Sequence, residues 1–387
     1  MMKYFYLLLI PFSLLADNIK ESRLAEILMK KDKAVLESEL HEDAWIAPLM
    51  IQAEYYKSNV TDQDDDEATS IGVSWSQDIY RSGAIGYEQE QAKLENSIAH
   101  KVLRTEFQAM NITVYEYVLI LGIMDLKLKQ LTLSIRNKEI EIEAKQARYN
   151  KGLIDISELD TSMLELSNLK NEVERTELEK LSYLKDLKML TNKKYKEIKL
   201  EEIALITLDE FLSKNSVHIQ NDEVEHKRLN QKIIHASYLP KVSVLANYKY
   251  ENSKYRRNIR NDKTNWDYGL SVSIPIDYNE RKNKEIAQKD LLLSQTKYQN
   301  RLEEEEMFYN TVRQEVRLLQ NRIANHEEAI DAYNRLIDEV NELYVNGLKT
   351  EEDLITLRNT KASKLQDVLI DKINVKLSYL KLMKRIY

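Results

Sequence analysis

Leu239-Pro240-Lys241-Val242-Ser243-Val244-Leu245-Ala246-Asn247-Tyr248-Lys249-Tyr250, a polar loop, then Trp266-Asp267-Tyr268-Gly269-Leu270-Ser271-Val272-Ser273-Ile274-Pro275-Ile276-Asp277: this stretch decides the fold. Both runs alternate with period two, which predicts strands over 239–251 and 265–277 with two unlike faces. Val242, Val244, Ala246, Tyr248 and Tyr250 share one face, answered by Trp266, Tyr268, Leu270, Val272, Ile274 and Ile276. Lys241, Ser243, Asn247 and Lys249 share the other, answered by Asp267, Gly269, Ser271 and Ser273. A hairpin with one apolar face is not stable alone in water. It must join other strands or a membrane.

The same unit occurs earlier in the chain. Trp45–Tyr56 and residues 69–80 alternate in the same way, the second with Ile71, Val73, Trp75 and Ile79 on its apolar face. A helix is expected over 84–149, where Phe107, Met110, Val114, Tyr117, Leu121, Met124, Leu128, Leu131 and Ile135 recur at steps of three and four. This is a seam for side-by-side helix packing. About 65 helical residues make a rod of roughly 100 Å. Gly152 ends the helix, Asp155 or Ser157 caps the return, and a second helix is expected over 157–192. After the opening hairpin come expected helices over 281–346 and 350–387, broken at Gly347. The first has the seam Tyr309, Val312, Val316, Leu319, Ile323, His326, Ile330, Tyr333, Ile337, Val340 and Tyr344.

The two halves repeat one another. Ile71-Gly72-Val73-Ser74-Trp75-Ser76 matches Tyr268-Gly269-Leu270-Ser271-Val272-Ser273, and Tyr149-Asn150-Lys151-Gly152-Leu153 matches Tyr344-Val345-Asn346-Gly347-Leu348. The expected organisation is a leader at 1–16, repeat 1 at 17–192, a connector at 193–234 and repeat 2 at 235–387. Within the connector a helix is expected from about Asp222 to His235. Each repeat runs strand, strand, helix, helix.

The totals agree. Seven Gly and four Pro in 387 residues leave long helices uninterrupted. Tyr outnumbers Phe by 23 to 5, which suits an interface where a ring is buried and its hydroxyl stays wet. The net charge of −7 gives no footprint for nucleic acid. The absence of cysteine excludes disulfides, thiolate metal sites, a Cys nucleophile and an acylated N-terminal Cys. The six histidines show no ligand spacing, and no nucleophile–base set or phosphate-binding loop is present, so neither an enzyme, a metal site nor a cofactor is expected. The run Glu303–Glu306 reads as a solvated helix face. The start, Met1-Met2-Lys3 followed by an apolar core ending at Ala16, reads as a secretory signal peptide. It is too short to span a membrane.

Each half supplies two strands long enough to cross a bilayer when tilted. Four strands do not close a barrel around a polar lumen, and open edges are not tolerated in lipid. Several copies must therefore share one barrel, and three would give about 12 strands. Trp45, Trp75 and Trp266 are expected at the lipid interfaces, with the helices forming a hollow coiled-coil tube.

These residues resemble the TolC-type outer-membrane efflux proteins. The resemblance rests on the tandem repeat, the strand entry Leu239-Pro240-Lys241-Val242, and the helix tips Gly152-Leu153 and Gly347-Leu348, in order and in duplicate. It implies a mainly α fold with a membrane β-barrel: a homotrimer whose 12-stranded barrel lies in the outer membrane and continues into a periplasmic coiled-coil α-barrel tunnel. It implies a passive exit duct of a tripartite efflux system, docked through a periplasmic adaptor to an inner-membrane transporter. A duct for type I protein secretion is the alternative, and a non-channel coiled-coil protein a weaker one that leaves the strands without a purpose. The short segment before the first strand, the small connector and the absent C-terminal tail put the size of the belt around the tunnel in question.

The resemblance also supplies site residues. Gly152, Leu153, Gly347 and Leu348 would form the tips that meet the adaptor. Glu158 in the first tip would face Tyr344 and Lys349 in the second, a latch weak enough to break. Asp353 and Thr356 match the tunnel constriction, where three copies of Asp353 would make a cation-favouring ring. The other reading of Asp353, with Glu351 and Glu352, is a helix N-terminus that favours carboxylates.

Overall fold

The computed structural model describes residues 18–58, 66–200, 206–255 and 259–386. The expected signal peptide lies outside these, as does most of the acidic stretch 62–67. The chain divides into two compact units. One comprises Met1–Leu28, Arg104–Ser216 and Glu303–Tyr387, the other Met29–Leu103 and Val217–Leu302.

The second unit is built on one sheet. Its strands are β1 (Met50–Ser58), β2 (Asp66–Tyr80), β3 (Lys241–Tyr255) and β4 (Ile259–Ser273), all antiparallel to their neighbours in the order β1-β2-β3-β4. The register joins the two repeats. Val242, Val244, Ala246 and Tyr248 stand opposite Val272, Leu270, Tyr268 and Trp266, while Ile71, Val73 and Trp75 stand opposite Tyr250, Tyr248 and Ala246. Since alternate residues point to opposite faces, most pairings are apolar with apolar or polar with polar; Met50, Tyr55, Ala68, Gln77, Leu245 and Tyr250 each have a pairing that departs from this. The apolar face is open: Trp266, Tyr268 and Leu270 are 68%, 78% and 73% exposed. β1 and β4 are edges without a partner on their outer side among the described residues.

The strand ends correct three expectations. β1 begins at Met50, not at Trp45. Pro48 has no N–H for a ladder, and the Gln77 side chain takes the peptide groups instead, accepting from Ala47 N at 2.8 Å and donating to the Trp45 carbonyl at 2.8 Å. β4 ends at Ser273, short of Asp277, because Pro275 interrupts pairing. At its other end the hairpin runs on through the expected polar loop, with Asn252 opposite Asp262. Ile79 is skipped by a bulge between Asp78 and Tyr80, which takes it out of the ladder.

The helices are α1 (Glu21–Glu42), α2 (Ala84–Asn150), α3 (Ile156–Leu190), α4 (Leu208–Lys214), α5 (Val217–Ser237), α6 (Glu280–Val345) and α7 (Glu351–Met383). The connector thus holds two helices where one from Asp222 to His235 was expected. In the first unit α2 lies between α3 and α7. Lys180 of α3 reaches Asp125 of α2 at 2.6 Å, and Gln130 of α2 reaches Asp367 of α7 at 2.6 Å. One turn further along α7, Arg322 of α6 reaches Asp371 at 2.6 Å. The polar contacts thus run α3-α2-α7-α6.

The cores follow the seams. Val114, Leu121, Leu187, Ile198 and Leu380 form one cluster. Phe211 of α4 packs against Tyr309, Val312, Leu382 and Ile386 in another. Around Ile112–Met124, α2 is buried on more than one side, because the connector covers its outer face as well. Among the described residues no helix is long and apolar enough to cross a membrane.

Candidate functional site

The two glycine turns at the ends of α2 and α6 share one geometry. Gly152 and Gly347 have φ of 70° and 72°, the left-handed region that side chains resist. Gly152 N donates to the Tyr149 carbonyl at 2.8 Å and Leu153 N to that of Arg148 at 3.0 Å. Gly347 N donates to Tyr344 at 2.9 Å and Leu348 N to Leu343 at 2.8 Å. Each turn is a Schellman motif, with the last carbonyls of the helix satisfied and the chain reversed in a few residues. The outgoing helices start alike, Asp155 capping α3 and Thr350 capping α7. Both turns therefore present the same shape: a tyrosine one turn back, then a leucine at the apex. Leu153, Leu348 and Val345 are all exposed, although no packing within the chain asks for an apolar group there.

The residues beside the turns are placed as follows. Among the described residues no hydrogen bond or ion pair joins Glu158 to Tyr344 or Lys349. Lys349 instead lies 3.8 Å from Asp353, one turn along. Asp353 completes a capping box: its carboxylate accepts from Thr350 N at 3.2 Å, and its own N–H donates to Thr350 Oγ1 at 3.3 Å. The carboxylate thus has a structural task that would exist without a pore. Thr356 offers its carbonyl to Asn137 Nδ2 of α2 at 3.2 Å. Asp353 and Thr356 line one groove together with Asn137, Lys138, Glu141 and Thr350.

That groove is held by charge. Glu141 of α2 lies 2.5 Å from Lys138 and 2.8 Å from Lys145, and accepts from Ser162 of α3 at 3.1 Å. The Lys138 and Lys145 ammonium groups hold its carboxyl down at about 2, against the pull of burial. Nearer the connector, burial and then the hydrogen bond to Asp125 push the Tyr195 hydroxyl up to about 12. In the other unit, Glu95 of α2 accepts from His226 of α5 at 2.7 Å and pairs with His41 of α1 at 2.9 Å. Burial raises its carboxyl, but the two histidines outweigh that and hold it below the usual range.

The tryptophans separate. Trp75 and Trp266 lie on the apolar face of the sheet, Trp266 stacked on Tyr268 with centroids 6.0 Å apart. Trp45 precedes β1 in a turn, tied by its carbonyl to Gln77. Two buried carboxylates escaped the sequence reading. Glu305 is 0% exposed, bound to Arg385 at 2.8 Å and Asn215 at 3.0 Å, so the run 303–306 is not uniformly solvated. Asp371 is buried under Arg322, with His326 at 3.5 Å. Among the described residues no cluster of three or more His, Cys, Asp or Glu is placed to hold a metal ion.

No protein-family model matches the sequence, and no curated protein matches it. Solved structures do. The chain is similar to the CmeC outer membrane channel of Campylobacter jejuni, at 14% identity over 96% of this chain and 84% of that one, with a TM-score of 0.73. It is similar to the outer membrane protein VceC of Vibrio cholerae at 13% identity, over 95% and 93%, with a TM-score of 0.73. The open state of the Neisseria gonorrhoeae MtrE outer membrane channel follows the same course at 11% identity, over 96% and 86%, with a TM-score of 0.67. The fold is that of the TolC-type outer-membrane channels.

Proposed function

We propose that the chain is the outer-membrane exit duct of a tripartite efflux system. One observation carries the reading: a four-stranded sheet whose apolar face leaves Trp266, Tyr268, Leu270 and Val272 exposed, with two edges unpaired among the described residues. In water such a face would aggregate and such edges would recruit other strands. Both are satisfied if the face meets lipid and β1 of one copy pairs with β4 of the next. Three copies give a barrel of about 12 strands with its polar face inward. β3 and β4 have 15 residues each, about 14 steps of 3.3 Å, which at a tilt near 40° rise about 35 Å, enough for the band about 25 Å tall that lipid requires.

The helical unit independently supports association between copies. The helices at either end of its run of polar contacts, α3 and α6, expose apolar residues: Met163, Leu164, Leu178 and Leu181 on one, Met307, Leu318 and Leu336 on the other. Joining α3 of one copy to α6 of the next covers both and closes a tube. Conduction through it is passive, with energy supplied by an inner-membrane transporter. The twin tips, with their exposed leucines, are the surface offered to a periplasmic adaptor, and between copies Glu158 meets Tyr344 and Lys349. The test is the mass of the detergent-extracted protein. Three copies are expected; a monomer with its sheet edges free would sink the reading.

A further inference from the structure

Just beyond the end of β4, at the start of α6, two cations have no carboxylate partner among the described residues. Ile276 and Tyr278, in the segment that joins β4 to α6, are 98% and 94% exposed. Beside them the Lys282 ammonium lies 5.8 Å from the centroid of the Tyr278 ring, and the Lys284 ammonium 5.4 Å from that of Tyr238. The other cations of this patch are neutralised within the chain. Lys284 sits 2.5 Å from Glu280, and Lys289 3.1 Å from Glu285. Among the described residues, Arg281 and Lys282 have no carboxylate within 4.0 Å, and both are exposed. The nearby Asp277 is turned to its own loop, accepting from Asn279 N at 2.8 Å and from the Tyr238 hydroxyl at 3.4 Å. The first repeat lacks the feature: Arg81, at the matching strand end, is bound to Glu88 and lies 4.0 Å from Asp78.

We propose that Arg281, Lys282 and Tyr278 form a headgroup site for an anionic glycerophospholipid of the periplasmic leaflet, one per chain. The inference rests on the membrane reading given above and deepens it. Three features favour this occupant. The patch follows within ten residues of Val272, the last apolar-face residue of β4. Of its three charges without an ion pair, Arg281 and Lys282 outnumber Asp277, which leaves the patch positive where a phosphodiester would lie. The Tyr278 ring is amphipathic and stands at the level where acyl chains give way to headgroups. A zwitterionic headgroup would gain less from the two cations, so the site discriminates by net charge.

The test uses the full-length assembly in detergent, titrated with phosphatidylglycerol or phosphatidylcholine, with bound lipids counted by native mass spectrometry. Phosphatidylglycerol should be retained on the order of tenfold more strongly. The variant Arg281→Gln/Lys282→Gln should lose that preference, while Lys289→Gln, whose cation is already paired, should keep it. Equal retention of both lipids by the native protein, or an unchanged preference in the double variant, overturns the site. A preference for lipopolysaccharide over phosphatidylglycerol overturns it too, by placing the patch in the outer leaflet. If the protein conducts in bilayers without headgroup preference, only this inference fails; if it inserts into no bilayer, the membrane reading fails with it.

Discussion

Asp371 of α7 is wholly buried and accepts a hydrogen bond from Arg322 of α6 at 2.6 Å. His326 of α6 lies 3.5 Å from its second oxygen. A buried carboxylate is tolerated only with such partners; Asn374 of α7 adds a contact at 3.5 Å, and the Arg322 bond from the neighbouring helix fixes the register of α6 against α7. Arg322→Met should cost about 2 kcal/mol, less than for a fully enclosed pair, because the guanidinium is partly solvated and His326 remains. Equilibrium denaturation of the variant checks this. Asp371→Asn, which removes the buried charge itself, should cost less.

The tip glycines should be intolerant for a backbone reason. A Cβ built on Gly152 or Gly347 meets nothing within 4 Å, so sterics with neighbours are not the issue. The positive φ alone should make Gly152→Ala or Gly347→Ala cost about 1 kcal/mol each, and Gly→Asn less. Thermal melts of single and double variants would show it, and the two costs should add.

Acid should loosen the contact between α2 and α3 through Glu141. Its folded-state carboxyl titrates at about 2, below the ordinary value of 4.5. A depressed carboxyl contributes stability that is present above pH 4.5 and is lost as pH falls through 2. Glu141→Gln should therefore flatten the stability profile across that window and leave it unchanged at pH 7 to 8 in shape. A profile as steep as the native one in the variant would contradict the assignment.

Asp353 has two tasks that one substitution separates. Asp353→Asn keeps an oxygen to accept from Thr350 N and so should retain most of the capping box, at a cost of roughly 0.5 kcal/mol. If three copies ring the constriction, the same variant should lose cation preference in reversal-potential measurements under a salt gradient. Unchanged selectivity leaves only the cap.

The fold was legible where periodicity was strong. Val242 to Tyr248 and Trp266 to Val272 alternate cleanly, and the observed register pairs those same faces. The seam of α6 is buried from Tyr309 to Leu319 and again at Val340. Legibility failed where a side chain replaced the backbone as partner. Trp45–Leu49 alternates like a strand, yet Gln77, itself at an apolar-face position, binds its peptide groups. It failed also for isolated charges: nothing local distinguishes Glu305, buried beneath Arg385, from the exposed Glu303 and Glu304. At the tips the turns were readable from glycine, but the proposed contact of Glu158 with Tyr344 and Lys349 between copies would leave no signature within one chain.

The central claim is that several copies enclose one conducting path closed at the tips. The most direct measurement is single-channel recording in planar bilayers of the native protein beside Tyr344→Phe/Lys349→Ala. Discrete conductance steps are predicted for both, larger in the variant because the latch to Glu158 is gone. No steps from either protein would contradict the account.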